Sequence, residues 1–395
     1  MILPFSFASI PHIIFGVGKL NELYNIIPKF GKDVLFIIGR SSLKQTGIWN
    51  EIASNLENNS INFSLVSISG EPSPIVIDEI VGKFRNKNLK LIVGIGGGSV
   101  TDAGKAISAM LTKGDSIKNY LEGVGTKIHD GEKIPYIAIP TTSGTGSEAT
   151  KNAVISEVGP HGFKKSLRHD NLIPNITIID PKLMISCPPS ISAACGMDAF
   201  TQLLEAYVSS KANPLTDALA YSGMKLMSEN ILPACTTGAS DVNVRGAMAY
   251  GSLVSGIALA NAGLGIIHGL ASPIGGFFKI PHGVVCGTLL AEATKVNIQM
   301  LQKKGLEGKL ELKKYAQIGA LLIGKHLIQE SKILDYCFKL IDILENWTET
   351  LKIDRLGKYG IKEKNVDKIV ENAGLKNNPI NLNAEKIRSI VLKRL

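Results

Sequence analysis

The sequence predicts an α/β N-terminal domain built on a Rossmann-like parallel sheet over residues 1–187, followed by an all-helical C-terminal domain over residues 188–395. Three observations carry that expectation. Short apolar runs of strand length alternate with helical segments through the first half, the pattern of a parallel sheet covered on both faces. From about Ser190 strand-like runs stop and helical period takes over. Between the two styles lies the proline-marked stretch Asp180-Pro-Lys-Leu-Met-Ile-Ser-Cys-Pro-Pro189.

Taken in order, Pro11-His-Ile-Ile-Phe-Gly-Val-Gly18 reads as a short strand and turn, and Val34-Leu-Phe-Ile-Ile38 as a buried strand. The latter ends at Gly39-Arg-Ser-Ser42 and passes into helical pattern. Asn62-Phe-Ser-Leu-Val-Ser67 is the next strand, Glu71-Pro-Ser-Pro74 breaks the chain, and Ile75 to Phe84 has helical period. Leu91-Ile-Val93 and Tyr136-Ile-Ala-Ile139 supply two more buried strands.

Composition narrows the class of function. A chain of 395 residues with 45% hydrophobic and 19% charged residues builds a sizeable core and is not disordered. The net charge of +9 is spread along the chain and densest in the C-terminal quarter, which reads as a solvated surface and not a nucleic-acid site. Cys187, Cys195, Cys235, Cys286 and Cys337 are odd in number and lack C-x-x-C spacing, as expected of reduced core cysteines in a cytoplasmic protein. The first residues lack a basic region and a long apolar run, so no signal peptide is indicated. Gly246 to Phe278 holds no Asp, Glu, Lys or Arg, but Pro273, Asn261 and His268 interrupt it. Helices buried in a soluble core are the better reading than a membrane span.

Two loops point to a dinucleotide. Leu91-Ile-Val-Gly-Ile-Gly-Gly-Gly-Ser-Val100 runs from strand through glycines to a helix beginning near Thr101, approximating a fingerprint in which a backbone approaches a pyrophosphate. Thr141-Thr-Ser-Gly-Thr-Gly-Ser-Glu148 follows the strand at 136–139, where ligands of parallel sheets sit. The competing readings are a structural glycine turn and a helix N-cap near Ser147.

A third stretch points to a metal. In a helical Gly196-Met-Asp-Ala-Phe-Thr-Gln-Leu-Leu-Glu205, Asp198, Gln202 and Glu205 share one face among apolar neighbours. Polar groups aligned on a buried helix are costly unless something binds them. His268 and His282, 14 residues apart in a glycine-rich segment, complete a set for one divalent ion: Asp198, His268 and His282, with Gln202 beside it. The competing reading is a pair of satisfied core histidines.

Together these segments resemble the iron-containing (group III) alcohol dehydrogenase family over nearly the whole chain. The resemblance rests on Gly96-Gly-Gly-Ser99 with Asp102 and Lys105, Pro140-Thr-Thr-Ser-Gly-Thr-Gly-Ser-Glu148, Asp180-Pro-x-Leu183 and Gly196-Met-Asp-Ala199. It continues through Glu205-Ala-Tyr207, Asn261-Ala-Gly-Leu-Gly265 and Pro281-His-Gly283. It implies a dehydroquinate synthase-like architecture, with a cofactor cleft between the domains and a metal near the nicotinamide. By position it implies dinucleotide contacts from Gly97, Gly98, Ser99, Asp102, Thr141, Thr142, Thr145 and Lys164. NAD-preferring relatives tend to carry an acidic residue after the first strand; here Gly39, Arg40 and Ser41 stand there, which favours NADP over NAD.

Two positions depart from the family pattern. Gln202 stands where iron-dependent members usually carry a His, and Ser272 where they often carry a second His thought to aid proton transfer. Gln202 is a poor ligand for a transition metal. Asp198, His268 and His282 with an open position also describe a catalytic zinc site, so zinc competes with iron. Glu205 is placed to orient a ligand. The implied activity is NAD(P)-dependent alcohol dehydrogenation or aldehyde reduction on a small primary alcohol or aldehyde, in a homodimer, with Ser272 on the proton path. The alternatives are a related reductase or lyase for an anionic substrate, maleylacetate-type or sugar-phosphate-type, and a metal-free cofactor-binding protein.

Overall fold

The computed structural model describes residues 4–325 and 327–395. Six strands form one parallel sheet: β1 (His12–Phe15), β2 (Asp33–Gly39), β3 (Asn62–Ile68), β4 (Leu91–Gly96), β5 (Tyr136–Pro140) and β8 (Ile176–Ile179). Their spatial order is β1-β8-β5-β4-β2-β3. Every position of β4 and β5 is buried, as continuous apolar runs require at the middle of a covered sheet. Edge strand β3 is mostly half-buried and carries Asn and Ser among its apolar residues.

Two elements differ from the sequence expectation. The short run Ile176–Ile179 forms the strand between β1 and β5, and β6 (Asn152–Glu157) and β7 (Phe163–Arg168) make a separate antiparallel hairpin. The hairpin's Lys-rich second strand has no apolar alternation to announce it, because β7 is held by the helix Ile266–Phe277 packed beside it. The helix after the glycine loop also starts earlier than Thr101, at Gly98.

Close approach at the centre of the sheet explains two glycines. A Cβ on Gly94 would lie 2.3 Å from the Tyr136 hydroxyl oxygen, and one on Gly104 would lie 2.4 Å from it. The buried Tyr136 ring fills the gap those residues leave, and its hydroxyl donates to the Thr101 carbonyl oxygen at 3.2 Å.

From Pro189 the chain is helical. In the helix Pro189–Val208 every residue from Gly196 to Val208 is buried, so its polar side chains have to be satisfied inside the protein. Around it pack the helices Pro214–Asn230, Val242–Ala262 and His282–Lys303, and the first turn of Ile266–Phe277 meets it at Glu205. Among the described residues no single helix is long and apolar enough to cross a membrane, and the apolar pair Val242–Ala262 and Ile266–Phe277 meets at 101°.

The sheet and the helices meet backbone to backbone. A Cβ on Gly256 would lie 2.1 Å from the Gly146 carbonyl oxygen, and Gly146 itself has a φ of +58°. Gly146 therefore needs glycine twice, for its conformation and for the contact. We expect Gly256→Val to lower stability by about 1–3 kcal/mol or more through overpacking, seen as a lower denaturant midpoint. Gly114→Ala, at an exposed position with open space around it, should leave the midpoint unchanged. An unaltered midpoint for Gly256→Val would show that the two parts do not rest on this contact.

Candidate active site

A cavity of ≈ 850 Å³ opens between the carboxyl ends of the strands and the helical part. Gly39, Gly97, Gly98, Ser99, Asp102, Thr142, Thr145 and Lys164 line its sheet side, and Asp198, Gln202, His268, Ser272 and His282 its helical side. Three expected cofactor residues stand next to this wall. Arg40 and Ser41 are exposed just beyond Gly39, and the Thr141 N–H donates to the Gly96 carbonyl oxygen at 2.9 Å.

On the sheet side the two loops interlock. A Cβ on Gly98 would lie 2.7 Å from the Thr145 methyl carbon, and one on Gly97 would lie 3.2 Å from the Thr142 hydroxyl oxygen. No side chain caps the helix Gly98–Met110, so its first N–H groups are left for a ligand. Asp102 does not merely line the wall. It accepts from the Ser147 hydroxyl at 2.5 Å and pairs with the Lys105 ammonium at 3.2 Å. Lys105 Nζ also donates to the Ser147 carbonyl at 2.9 Å, to the Thr150 hydroxyl at 3.0 Å and to the Asn152 carbonyl. Burial lowers the Lys105 pKa, and the Asp102 and Glu148 charges pull the other way.

Lys164, on β7, pairs with Glu71, which follows β3 and also accepts from the Ser156 hydroxyl at 2.6 Å. Burial acts against the Glu71 carboxylate, but the Lys164 charge and these hydrogen bonds outweigh it and hold its pKa below the usual value. Sequence reasoning did not single out Glu71. It lies in a proline-broken turn far from Lys164 in sequence, and only the hairpin brings them together.

On the helical side three elements converge. Asp198 comes from the middle of the helix Pro189–Val208, His268 from the first turn of Ile266–Phe277, and His282 from the first residue of His282–Lys303. Asp198 Oδ1 lies 3.3 Å from His268 Nε2 and 3.8 Å from His282 Nε2. Cys286, one turn beyond His282, places its Sγ 3.6 Å from His268 Nε2 and 3.7 Å from His282 Nε2. The four donor atoms lie within 4.8 Å of one another. Behind them Glu205 accepts from the Ile267 N–H at 2.7 Å and faces His268 Nδ1 at 2.7 Å, so it turns Nε2 towards the other three.

The charge states follow from burial and neighbours. Burial raises the Asp198 carboxyl, but His282 and His268 more than reverse this and leave it at about 2. Burial pushes His282 down to about 4 against the pull of Asp198, so the ring is neutral at neutral pH. Burial also lowers His268, yet Cys286, Asp198 and Glu205 raise it well above its ordinary value. Burial pushes the Cys286 thiol up to about 12 against the pull of His268.

This set fits a divalent cation. Asp198 Oδ1 is buried and makes no hydrogen bond, a costly state that a cation among the four donors would relieve. Gln202 is placed differently from the other expected ligands. It lines the cavity, but its amide oxygen already accepts from the Ser255 hydroxyl at 2.8 Å. Ser272 donates its own proton to the Lys164 carbonyl oxygen at 2.9 Å. Sequence reasoning placed Cys286 in the core; the His-x-x-x-Cys spacing at a helix start was the available signal.

Comparison with known proteins identifies the family. The iron-containing alcohol dehydrogenase profile matches residues 11–181, and the C-terminal profile of the same family matches residues 192–395. The chain is 31% identical over 365 residues to the NAD-dependent methanol dehydrogenase of Bacillus methanolicus, covering 92% of this chain and 91% of that protein. It is 30% identical over 389 residues to the NADPH-dependent butanol dehydrogenase of Clostridium saccharobutylicum, covering 96% and 95%. The crystal structure of a 1,3-propanediol oxidoreductase superposes with a TM-score of 0.87 at 28% identity, covering 100% of each chain. The chain thus belongs to the iron-containing alcohol dehydrogenase family, oxidoreductases that act on CH–OH groups with NAD(P).

Proposed function

We propose that the protein interconverts a small primary alcohol and its aldehyde with NADP(H), using one divalent ion held by Asp198, His268 and His282. The observation that carries this reading is the meeting, in one cavity, of two phosphate-type loops with the Asp–His–His cluster. Relatives named for methanol and butanol, and a structural neighbour named for 1,3-propanediol, support a small primary alcohol as substrate. The anionic-substrate alternative finds less support. The relatives are named for neutral alcohols; of the basic residues on the cavity wall, Lys164 is paired with Glu71 and Arg168 is engaged by Glu122 at 3.3 Å and Asn152 at 3.2 Å, while Lys352 and Lys376 make no ion pair among the described residues.

The residues divide the work. Amides at Gly98 and Ser99 and the hydroxyls of Thr142 and Thr145 hold the pyrophosphate, while Arg40, beyond Gly39, meets a 2′-phosphate that no carboxylate at that strand end repels. Glu205 fixes the His268 ring. Ser272, whose proton rests on the Lys164 carbonyl, accepts a hydrogen bond from the alcohol, whose proton leaves through a cofactor ribose hydroxyl or water. A bound divalent ion supplies Lewis acidity towards the substrate oxygen. We take that ion to be zinc, because Gln202 offers no imidazole. The family likeness underlies a homodimer, and five free cysteines fit a reducing cytoplasm.

Elemental analysis coupled to aldehyde reduction with both cofactors tests the whole reading. Asp198→Ala and His282→Ala are expected to lose metal and activity together, whereas Gln202→Ala keeps much of both and Gln202→His broadens the site to iron. Glu205→Gln should weaken metal binding by about 10–100-fold. Full activity after exhaustive chelation, with no bound metal, would sink the assignment.

For the cofactor, fluorescence titration should show NADPH bound more tightly than NADH, and Arg40→Asp should reverse or narrow the difference. Gly98→Val drives a side chain into Thr145 and should abolish binding of both nucleotides while far-ultraviolet circular dichroism stays native. Tighter NADH binding by the unmodified protein would refute the NADP(H) preference.

A further inference from the structure

Gln202 is held by Ser255, which leaves the Asp–His–His set with three protein donors; with a fourth, the substrate oxygen would enter as a fifth ligand. We propose that Cys286 supplies the fourth ligand, so that the ion rests between Asp198, His268, His282 and one thiolate. The inference rests on the metal site proposed above but not on hydride transfer.

Geometry carries it. Cys286 follows His282 at i, i+4 on one helix, which puts sulfur and imidazole on the same face. Bond lengths of about 2.0–2.1 Å to nitrogen or oxygen and about 2.3 Å to sulfur give a tetrahedron with edges of about 3.3 Å, or about 3.6 Å where sulfur is one end. The corresponding separations are 3.3 and 3.8 Å from Asp198 Oδ1 to the two imidazoles, and 3.6 and 3.7 Å from the sulfur to the same nitrogens. Four of the six edges therefore lie near the values a bound ion would set, and the other two lie within 4.8 Å. A second observation is independent of the cysteine: Asp198 Oδ1, on a residue only 2% exposed, has no hydrogen-bond partner and faces the same gap.

The rival account makes Cys286 a small core hydrophobe, for it is fully buried. A core cysteine has no need to sit equidistant from two imidazole nitrogens. Charge also favours the thiolate. Binding displaces the thiol proton to solvent, and thiolate plus Asp198 carboxylate give a divalent ion two anionic ligands where a neutral amide would leave it one. Sulfur ligation selects zinc over iron, which accounts for a metal site that has lost the imidazole at position 202.

Two measurements on the full-length protein decide the matter. In zinc-loaded wild type, X-ray absorption at the zinc edge should show one sulfur scatterer at about 2.3 Å. After chelation and loading with cobalt(II), wild type and Gln202→Ala should show a thiolate-to-cobalt charge-transfer band that Cys286→Ser lacks. Cys286→Ser should also weaken zinc binding by more than the about 10–100-fold typical of an outer partner. A stoichiometric metal surrounded by nitrogen and oxygen alone, or a band that persists in Cys286→Ser, would overturn the proposal. The wild-type absorption spectrum settles the question even if Cys286→Ser fails to fold. No uptake of zinc or cobalt would overturn this inference and the metal assignment together, whereas a sulfur-ligated ion in a protein without aldehyde reductase activity would overturn only the proposed reaction.

Discussion

A single ammonium group with no access to water organises the cofactor side of the molecule. Lys105 is fully buried, and an unpaired charge there would cost several kcal/mol. Its partners come from three different segments: Asp102 on its own helix, Ser147 and Thr150 in the second loop, and Asn152 at the start of the hairpin. None of these segments can drift without stranding the charge. The two loops are thereby held at the separation where Gly98 touches Thr145, and the hairpin is held where it delivers Lys164 to the cavity. The glycine loop keeps its shape because of a lysine two turns along its helix.

The helical side is built on the opposite sign. Asp198 and Glu205 are both buried on one helix, and His268 lies between them, bonded to one and close to the other. Here too one charged group ties several elements, because Glu205 also holds the first turn of the His268 helix through the Ile267 N–H. The difference is that Lys105 is fully satisfied by protein, while Asp198 Oδ1 is left without a bond. Buried polar groups in native proteins are nearly always paired. The first network is therefore structural, and the second is one group short.

Much of this was legible in the sequence, and the illegible parts share a cause. The central strands announce themselves because burial on both faces leaves only apolar residues. Asp198, Gln202 and Glu205 were readable as one face because helical period is a local property. The glycine loops were readable because close approach, and at Gly146 a positive φ, restrict residue type. The β6–β7 hairpin was not readable, since its Lys-rich second strand is fixed by a helix about a hundred residues later. Glu71 was missed for the same reason: its partner Lys164 is distant in sequence and its local setting is an ordinary proline turn. Cys286 was visible, but its chemistry depends on where two other helices place Asp198 and His268.

The two networks also orient whatever fills the cavity between them. The sheet side offers an uncapped helix start, whose free N–H groups attract anions. The helical side holds buried carboxylates at Asp198 and Glu205, which repel them. A dinucleotide placed with its pyrophosphate at the glycine loops therefore has its nicotinamide end directed towards Asp198. Oxidised nicotinamide carries a positive charge, and the carboxylates stabilise it where the alcohol is to be oxidised. A divalent ion among the donors would cancel the two carboxylate charges, and a Cys286 thiolate would restore a negative one, since among the four clustered donors only Asp198 and Cys286 can be anionic. The ligand set that holds the metal thus bears on the polarity that sets the cofactor's direction.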